Sequence, residues 1–163
     1  MRPAGSTNSS YREIEAIQLS KTLISTYYMF RQCYSLTKVA DTFQLPKGLE
    51  RADYMFYDCD NLIQMPTSLR LPASCTNYCY FIGDSKSIAV DITHWFDDWQ
   101  VEHNENRNLE YMFYGCSKLT GILPANKLWK DYTSYINGGS HRYMFNSCTE
   151  LQKTNDIPTS WKQ

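Results

Sequence analysis

Apolar residues in this chain recur in two linked groupings rather than in one continuous helical or strand period. The first is the tripeptide Tyr-Met-Phe at residues 28–30, 54–56, 111–113 and 143–145. In each copy a Cys and a Leu follow at fixed distances, so the blocks read YMFRQCYSL, YMFYDCDNL, YMFYGCSKL and YMFNSCTEL. The second grouping places two apolar residues three apart, sometimes with a third two further on: Ile14/Ile17/Leu19, Leu36/Val39, Leu62/Met65, Ile88/Val90/Ile92, Leu119/Ile122, and Leu151 with Ile157. First residues at 14, 36, 62, 88, 119 and 151 give intervals of 22, 26, 26, 31 and 32, a spacing typical of repeat architectures. Short apolar runs stopped by Pro, as at Met65-Pro66 and Leu71-Pro72, read as strands that pair with the next repeat. The Tyr-Met-Phe segment reads as a short helix or tight turn on the opposite face. The pattern therefore predicts an α/β repeat: a short leucine-rich-repeat solenoid of about six rungs, with a parallel β-sheet on one face and short helices or turns on the other.

This assigns residues 1–10 to a flexible N-terminal segment and 11–163 to a single domain, with enlarged loops at about 93–108 and 125–141. The expected repeat core is Met29, Phe30, Cys33, Leu36, Met55, Phe56, Cys59, Leu62, Phe81, Ile88, Met112, Phe113, Cys116, Leu119, Met144, Phe145, Cys148 and Leu151. The third copy is degenerate. Tyr78-Cys79-Tyr80-Phe81-Ile82-Gly83-Asp84 stands where another block is due, and reads with Phe81 as its aromatic anchor, Asp84 at the Cys position and one extra residue before Ile88.

The blocks Met55-Phe56-Tyr57-Asp58-Cys59-Asp60-Asn61-Leu62 and Met112-Phe113-Tyr114-Gly115-Cys116-Ser117-Lys118-Leu119 resemble the BspA-type leucine-rich repeats of bacterial surface proteins and lipoproteins. Val90-Asp91-Ile92-Thr93 through Phe96-Asp97 resembles the strand that follows in that family. The resemblance runs from residue 14 to about 157. It implies a binding or adhesive protein rather than an enzyme, placed at a bacterial cell surface or in a virion.

Composition narrows the partners. With 16 basic and 17 acidic residues the formal charge is −1, so no net field draws the chain to nucleic acid or anionic lipid. Apolar residues at 42% suffice for a buried core, and 13 Tyr against 20% charged residues make an aromatic, weakly charged surface. No apolar stretch approaches the roughly 20 residues of a membrane helix, and the opening MRPAGSTNSSYREIEAIQ lacks the apolar run of an intact secretory signal.

Candidate chemistry is sparse. Among six cysteines, Cys33, Cys59, Cys116 and Cys148 share one repeat position and read as buried free thiols, although neighbours one rung apart would come near bridging distance. Cys75 and Cys79 lie outside that position, and a bridge or metal use there stays open. The segment His94 to His103 gathers two His with carboxylates. It reads either as a metal or acid/base cluster or as a loop packed by Trp95, Phe96 and Trp99, and the spacing matches no helix-borne ligand pair. No nucleophile motif or phosphate loop is present, so no catalysis, cofactor or metal is expected. The binding residues expected are Trp95, Trp99, Trp129, Tyr132 and Tyr135 on the enlarged loops, with Gln64 and Lys38 on the strand face. Tyr28, Tyr54, Tyr111 and Tyr143, with Tyr57 and Tyr114, form a ladder that is either half-buried structure or a binding face. The resulting expectation is a non-catalytic module that recognises a protein or glycan partner; the alternative is a structural component packed by its sides or ends into a larger homo- or hetero-oligomeric assembly.

Overall fold

The Tyr-Met-Phe block is neither helix nor strand, because its backbone changes hand twice. Tyr28, Tyr54, Tyr80, Tyr111 and Tyr143 have φ between 52° and 57°, and Gln32, Asp58, Asp84, Gly115 and Ser147, each four residues on, are also left-handed. In the computed structural model, which describes residues 12–14, 17–100, 107–129 and 140–163, each block is a run of overlapping tight turns. Within the first copy Met29 N–H donates to Thr26 O (3.0 Å), Arg31 to Tyr28 O (3.3 Å) and Cys33 to Phe30 O (3.3 Å). The alternate amides point to the next copy: Tyr28 N–H to Asp53 O, Phe30 to Met55 O and Gln32 to Tyr57 O, at 3.3, 2.8 and 2.8 Å. The same three positions of the copies at Tyr54, Tyr80 and Tyr111 donate onward in the same way. Half of each block's amides thus close its own turns and half tie it to the following tier, which satisfies the backbone without regular structure.

The predicted six-rung solenoid with a parallel sheet does not form. Among the described residues the only sheet is a parallel pair, β1 (Glu13–Ile14) and β2 (Lys38–Val39), with Glu13 opposite Lys38 and Ile14 opposite Val39. The helices among the described residues are α1 (Ala125–Leu128), α2 (Thr149–Thr154) and a 3-10 turn at Thr159–Trp161; only α2 overlaps a block, beginning on the Thr-Glu-Leu that ends the fourth copy. Elsewhere the copies meet through isolated parallel bridges, Lys38 to Gln64 and Asp91 to Thr120, and through a column Ser25, Arg51, Asn77, Asn108 and Ser140 that precedes the blocks. The extended stretch after each Leu is too short for a sheet: a turn closed by Phe43 N–H to Ala40 O follows Val39, and Pro66 follows Met65.

Side chains on the inner side of the blocks make one core. Met55, Phe56, Cys59, Leu62, Phe81, Ile88, Met112, Phe113, Cys116, Leu119, Met144, Phe145, Cys148 and Leu151 are buried with Cys33 and Leu36, while Met29 and Phe30 are half-buried against them. Two expectations fail. Ile122 is 62% exposed, and Ile17 is also exposed. The third copy carries no insertion: Ile82, not Phe81, occupies the Phe position, since Cys116 Sγ donates to Ile82 O (3.1 Å) as Cys59 Sγ does to Phe30 O and Cys148 Sγ to Phe113 O. Ser85, not Asp84, takes the Cys position, donating to Phe56 O at 2.8 Å.

The two ends of the stack differ. At the C-terminal end Tyr143 N–H donates to Gln163 O and Phe145 N–H to Trp161 O, so the tail runs back across the last block in the opposite sense. Trp161 lies over Phe145, with ring centres 6.3 Å apart and planes 15° apart, and closes the core. The predicted flexible segment 1–10 and the parts of the enlarged loops at 101–106 and 130–139 lie outside the described residues.

Candidate functional site: a tyrosine ladder

The left-handed φ at each block tyrosine turns its ring out of the core and places it beside the ring of the next copy. The result is a row: Tyr28 to Tyr54 at 5.0 Å edge-on, then Tyr54 to Tyr80 at 5.0 Å, Tyr80 to Tyr111 at 4.5 Å and Tyr111 to Tyr143 at 4.9 Å, all stacked. The Tyr80 and Tyr111 planes differ by only 3°. Tyr27 stacks on Tyr28 at 3.8 Å, while Tyr57 and Tyr114 stand edge-on to the row at 5.4 and 5.5 Å. The five ladder rings are half-buried, and each contact adds about 0.5–1.5 kcal/mol beyond area burial.

Cations lie at both ends of the ladder, with Arg142 5.6 Å from the Tyr143 ring centre at one and two arginines at the other. The Arg31 guanidinium lies 4.7 Å from the Tyr28 ring centre and 5.6 Å from that of Tyr57. Arg51 lies 4.6 Å over Tyr27 and donates to both oxygens of the buried Asp53 carboxylate, at 3.1 and 2.9 Å. Desolvation raises the hydroxyls of Tyr54, to about 12, and of Tyr57 and Tyr80. These tyrosines therefore remain neutral hydrogen-bond donors across the physiological range. Cys79 beside Tyr54 is pushed up to about 11 by burial, which keeps it a thiol.

The residues expected to bind from sequence are not brought together here. Trp95 and Trp99 are 0% exposed, and their indole N–H groups donate to Pro66 O and Leu71 O at 2.9 Å each. They fill the core under their segment and are not surface anchors. Trp129 is half-buried, edge-on to Phe145 and Trp161. Lys38 and Gln64 face each other across a bridge, Lys38 half-buried and Gln64 exposed, and Tyr132 and Tyr135 lie outside the described residues. The ladder member missed in the sequence is Tyr80. Its distance from Tyr54 equals that of Tyr54 from Tyr28, a signal hidden by the assumed insertion.

Other candidate chemistry resolves into packing. His94 Nδ1 and the Asp97 carboxylate are 3.1 Å apart, with Arg70 3.2 Å from the same oxygen, all on the surface above buried Phe96. Glu102 and His103 lie outside the described residues. Among the described residues no three His, Cys, Asp or Glu side chains are grouped to hold a metal. All six cysteines are free, so Cys75 and Cys79 are not bridged. A shallow cleft of about 280 Å³ lies between Asp91, Thr120, Ile122, Glu150 and Lys153. No helix among the described residues is long and apolar enough to cross a membrane. Comparison with protein-family models, with curated proteins and with solved structures finds no match to this chain.

Proposed function

We propose that the protein is a non-catalytic interaction module and that the tyrosine ladder is its recognition face. The observation that carries this is the unbroken row of half-buried rings from Tyr28 to Tyr143, set 4.5 to 5.0 Å apart. Tyrosine provides large rigid contact area and a hydroxyl at low entropic cost, which is why binding surfaces favour it. Stacking hides the ring faces that a sugar would cover and leaves edges and hydroxyls, a surface that suits the carbonyls and side chains of a protein partner. The resemblance of the blocks to BspA-type repeats points the same way.

The test is a peptide-library selection against the protein, with the selected binders measured on a variant carrying Y54F, Y80F and Y111F. That variant keeps the rings and removes the hydroxyls. Binders that weaken at least tenfold support the reading, and binders indifferent to the variant refute it. Ladder-dependent signal on a glycan array with no peptide binders would assign the face to sugars. The second reading, a component of a larger assembly, is favoured by one observation: the carbonyls of Tyr27 and Met29 in the first block accept no hydrogen bond among the described residues.

A further inference from the structure

The tier-to-tier contact has a polarity, and the chain uses it to the end on one side only. Each block gives its Tyr and Phe amides to carbonyls of the following block, so every block after the first also accepts from the one before. The C-terminal end has no donors left to offer at these two positions, because Tyr143 and Phe145 are bonded to the returning tail. The first block is different. The carbonyls of Tyr27 and Met29, equivalent to the acceptors Asp53 and Met55 of the next copy, receive no hydrogen bond among the described residues.

Three further features mark the same end as half an interface. Met29 and Phe30 are half-buried where Met55 and Phe56 are 0% exposed. Leu23 is half-buried where its equivalent Leu49 is buried. Cys33 sits in the slot from which Cys59, Cys116 and Cys148 each donate to a carbonyl of the preceding block, and its own thiol makes no such bond among the described residues. Exposed Ile17 and half-buried Leu19 add apolar surface.

We propose that this end docks a segment of a second polypeptide that adds as one further tier. Its chemistry is set by the four internal contacts the end continues. The segment presents backbone N–H groups from alternate residues to Tyr27 O and Met29 O, a Met-Phe-like apolar pair over Met29 and Phe30, and a carbonyl to the Cys33 thiol. Two other occupants fit less well. The chain's own leading residues 3–8 read PAGSTN and carry none of the Tyr, Met, Phe or Cys of a tier. A second copy meeting end to end would bring carbonyls against carbonyls, and its other end has those two donors already bonded. This end adjoins Tyr28, the first ring of the ladder, but Y54F, Y80F and Y111F leave it unaltered, so its test reads separately from the peptide selection.

The probe is a synthetic peptide of residues 51–63, RADYMFYDCDNLI with C59S, titrated by fluorescence anisotropy into the full chain. Saturable one-to-one binding is expected. It should weaken at least tenfold when the peptide amides of Tyr54 and Phe56 are N-methylated, and again when the protein carries M29D, provided that the urea midpoint shows M29D to be folded at the assay temperature. Because a free peptide is costly to order, the same block is also fused ahead of the chain by a flexible Gly-Ser linker, where its effective concentration is about millimolar. A rise in the unfolding midpoint that M29D abolishes supports the proposal. Absence of binding together with no rise overturns it and leaves the end to the chain's own leading residues. Equal binding by the N-methylated peptide overturns the tier geometry. A concentration-dependent dimer that the peptide disperses overturns it in favour of a second copy.

Discussion

Ser85 stands where the other copies have Cys, and replacing it with Ala isolates the energy of one tier-to-tier contact. Its Oγ donates to Phe56 O at 2.8 Å and accepts from Cys59 N–H at 2.9 Å, in a site with no exposure to solvent. S85A removes both partners and leaves one buried donor and one buried acceptor, at about 1–3 kcal/mol each. Relaxation limits the sum. In the other copies the equivalent amide bonds the Phe carbonyl directly, Cys33 to Phe30 O at 3.3 Å, Cys116 to Phe113 O at 3.0 Å and Cys148 to Phe145 O at 3.2 Å. The Cys59 amide can therefore swing toward Phe56 O once Ser85 no longer separates them. The expected loss is about 2–3 kcal/mol, between the unrelaxed sum and full repair. S85C, whose thiol donates as Cys59 does to Phe30 O, should lose only about 1 kcal/mol. Urea unfolding measures both, with the midpoint of S85A falling by about 1 M at unchanged slope. A loss under about 0.5 kcal/mol for S85A, or equal losses for S85A and S85C, would refute the idea that this hydroxyl links two tiers.

Burial raises the thiols of Cys59 and Cys148 to about 12 and that of Cys75 to about 11, and the Cys116 thiol is also raised. A disulfide reagent at pH 8 should therefore label the native protein slowly, at half-buried Cys79 first, and reach all six cysteines only in denaturant. The Arg107 guanidinium is 1% exposed, lies 4.3 Å over Trp99 and donates to Ala73 O at 2.6 Å and Cys75 O at 3.3 Å. R107M should cost about 2–4 kcal/mol in urea unfolding, and R107K should not restore it, because Lys cannot span both carbonyls while stacking flat on the indole. Desolvation lowers His141 to about 4. Since its folded pKa lies below the unfolded value of about 6.5, its contribution is intact above that value and fades as pH falls toward 4. H141F should flatten the loss of stability between pH 6.5 and 4 relative to the unmodified chain, and identical pH profiles would exclude this role.

The repeated string was legible and its conformation was not. Tyr-Met-Phe-x-x-Cys-x-x-Leu identifies which side chains are buried, since Met, Phe, Cys and Leu keep their places whatever the backbone does between them. The left-handed φ at Tyr54 leaves no such trace, because Tyr seldom adopts it; Asp58, Asp84 and Gly115 at the second left-handed position are residues that accept it, a faint signal that does not by itself distinguish a turn-on-turn block from a short helix. The strands were overestimated for a related reason: three-apart apolar pairs such as Leu36 and Val39 mark inward positions, not the length of extended chain between them. Trp95 and Trp99 misled because a segment outside the repeat reads as surface, whereas their rings supply core volume and their indoles bond carbonyls of the previous copy. Tyr80 is hidden when an insertion is read into the third copy, and the hydrogen bonds from Cys116 Sγ to Ile82 O and from Ser85 Oγ to Phe56 O fix its register.

The strain at the ladder separates fold from function. A tyrosine held at φ of 52° to 57° costs on the order of 1 kcal/mol relative to an ordinary conformation, and Asn occupies that region more easily. Each stacked pair returns about 0.5–1.5 kcal/mol, so strain and stacking nearly cancel at each tier. Tyr80 illustrates the balance, with partners at 5.0 Å on one side and 4.5 Å on the other. Y80N should relieve the strain, forfeit three ring contacts, counting Tyr57 edge-on at 5.1 Å, and cost about 1–3 kcal/mol of stability. It would nevertheless split the ladder into two short stacks. If the ladder is the recognition face, Y80N weakens partner binding by far more than it weakens the fold. If the rings serve only the fold, binding by any selected partner survives the substitution as well as the structure does. Binding affinity and the urea midpoint measured on the same variant distinguish these outcomes, and a loss above about 4 kcal/mol would show that the ladder holds the tiers together rather than resting on them.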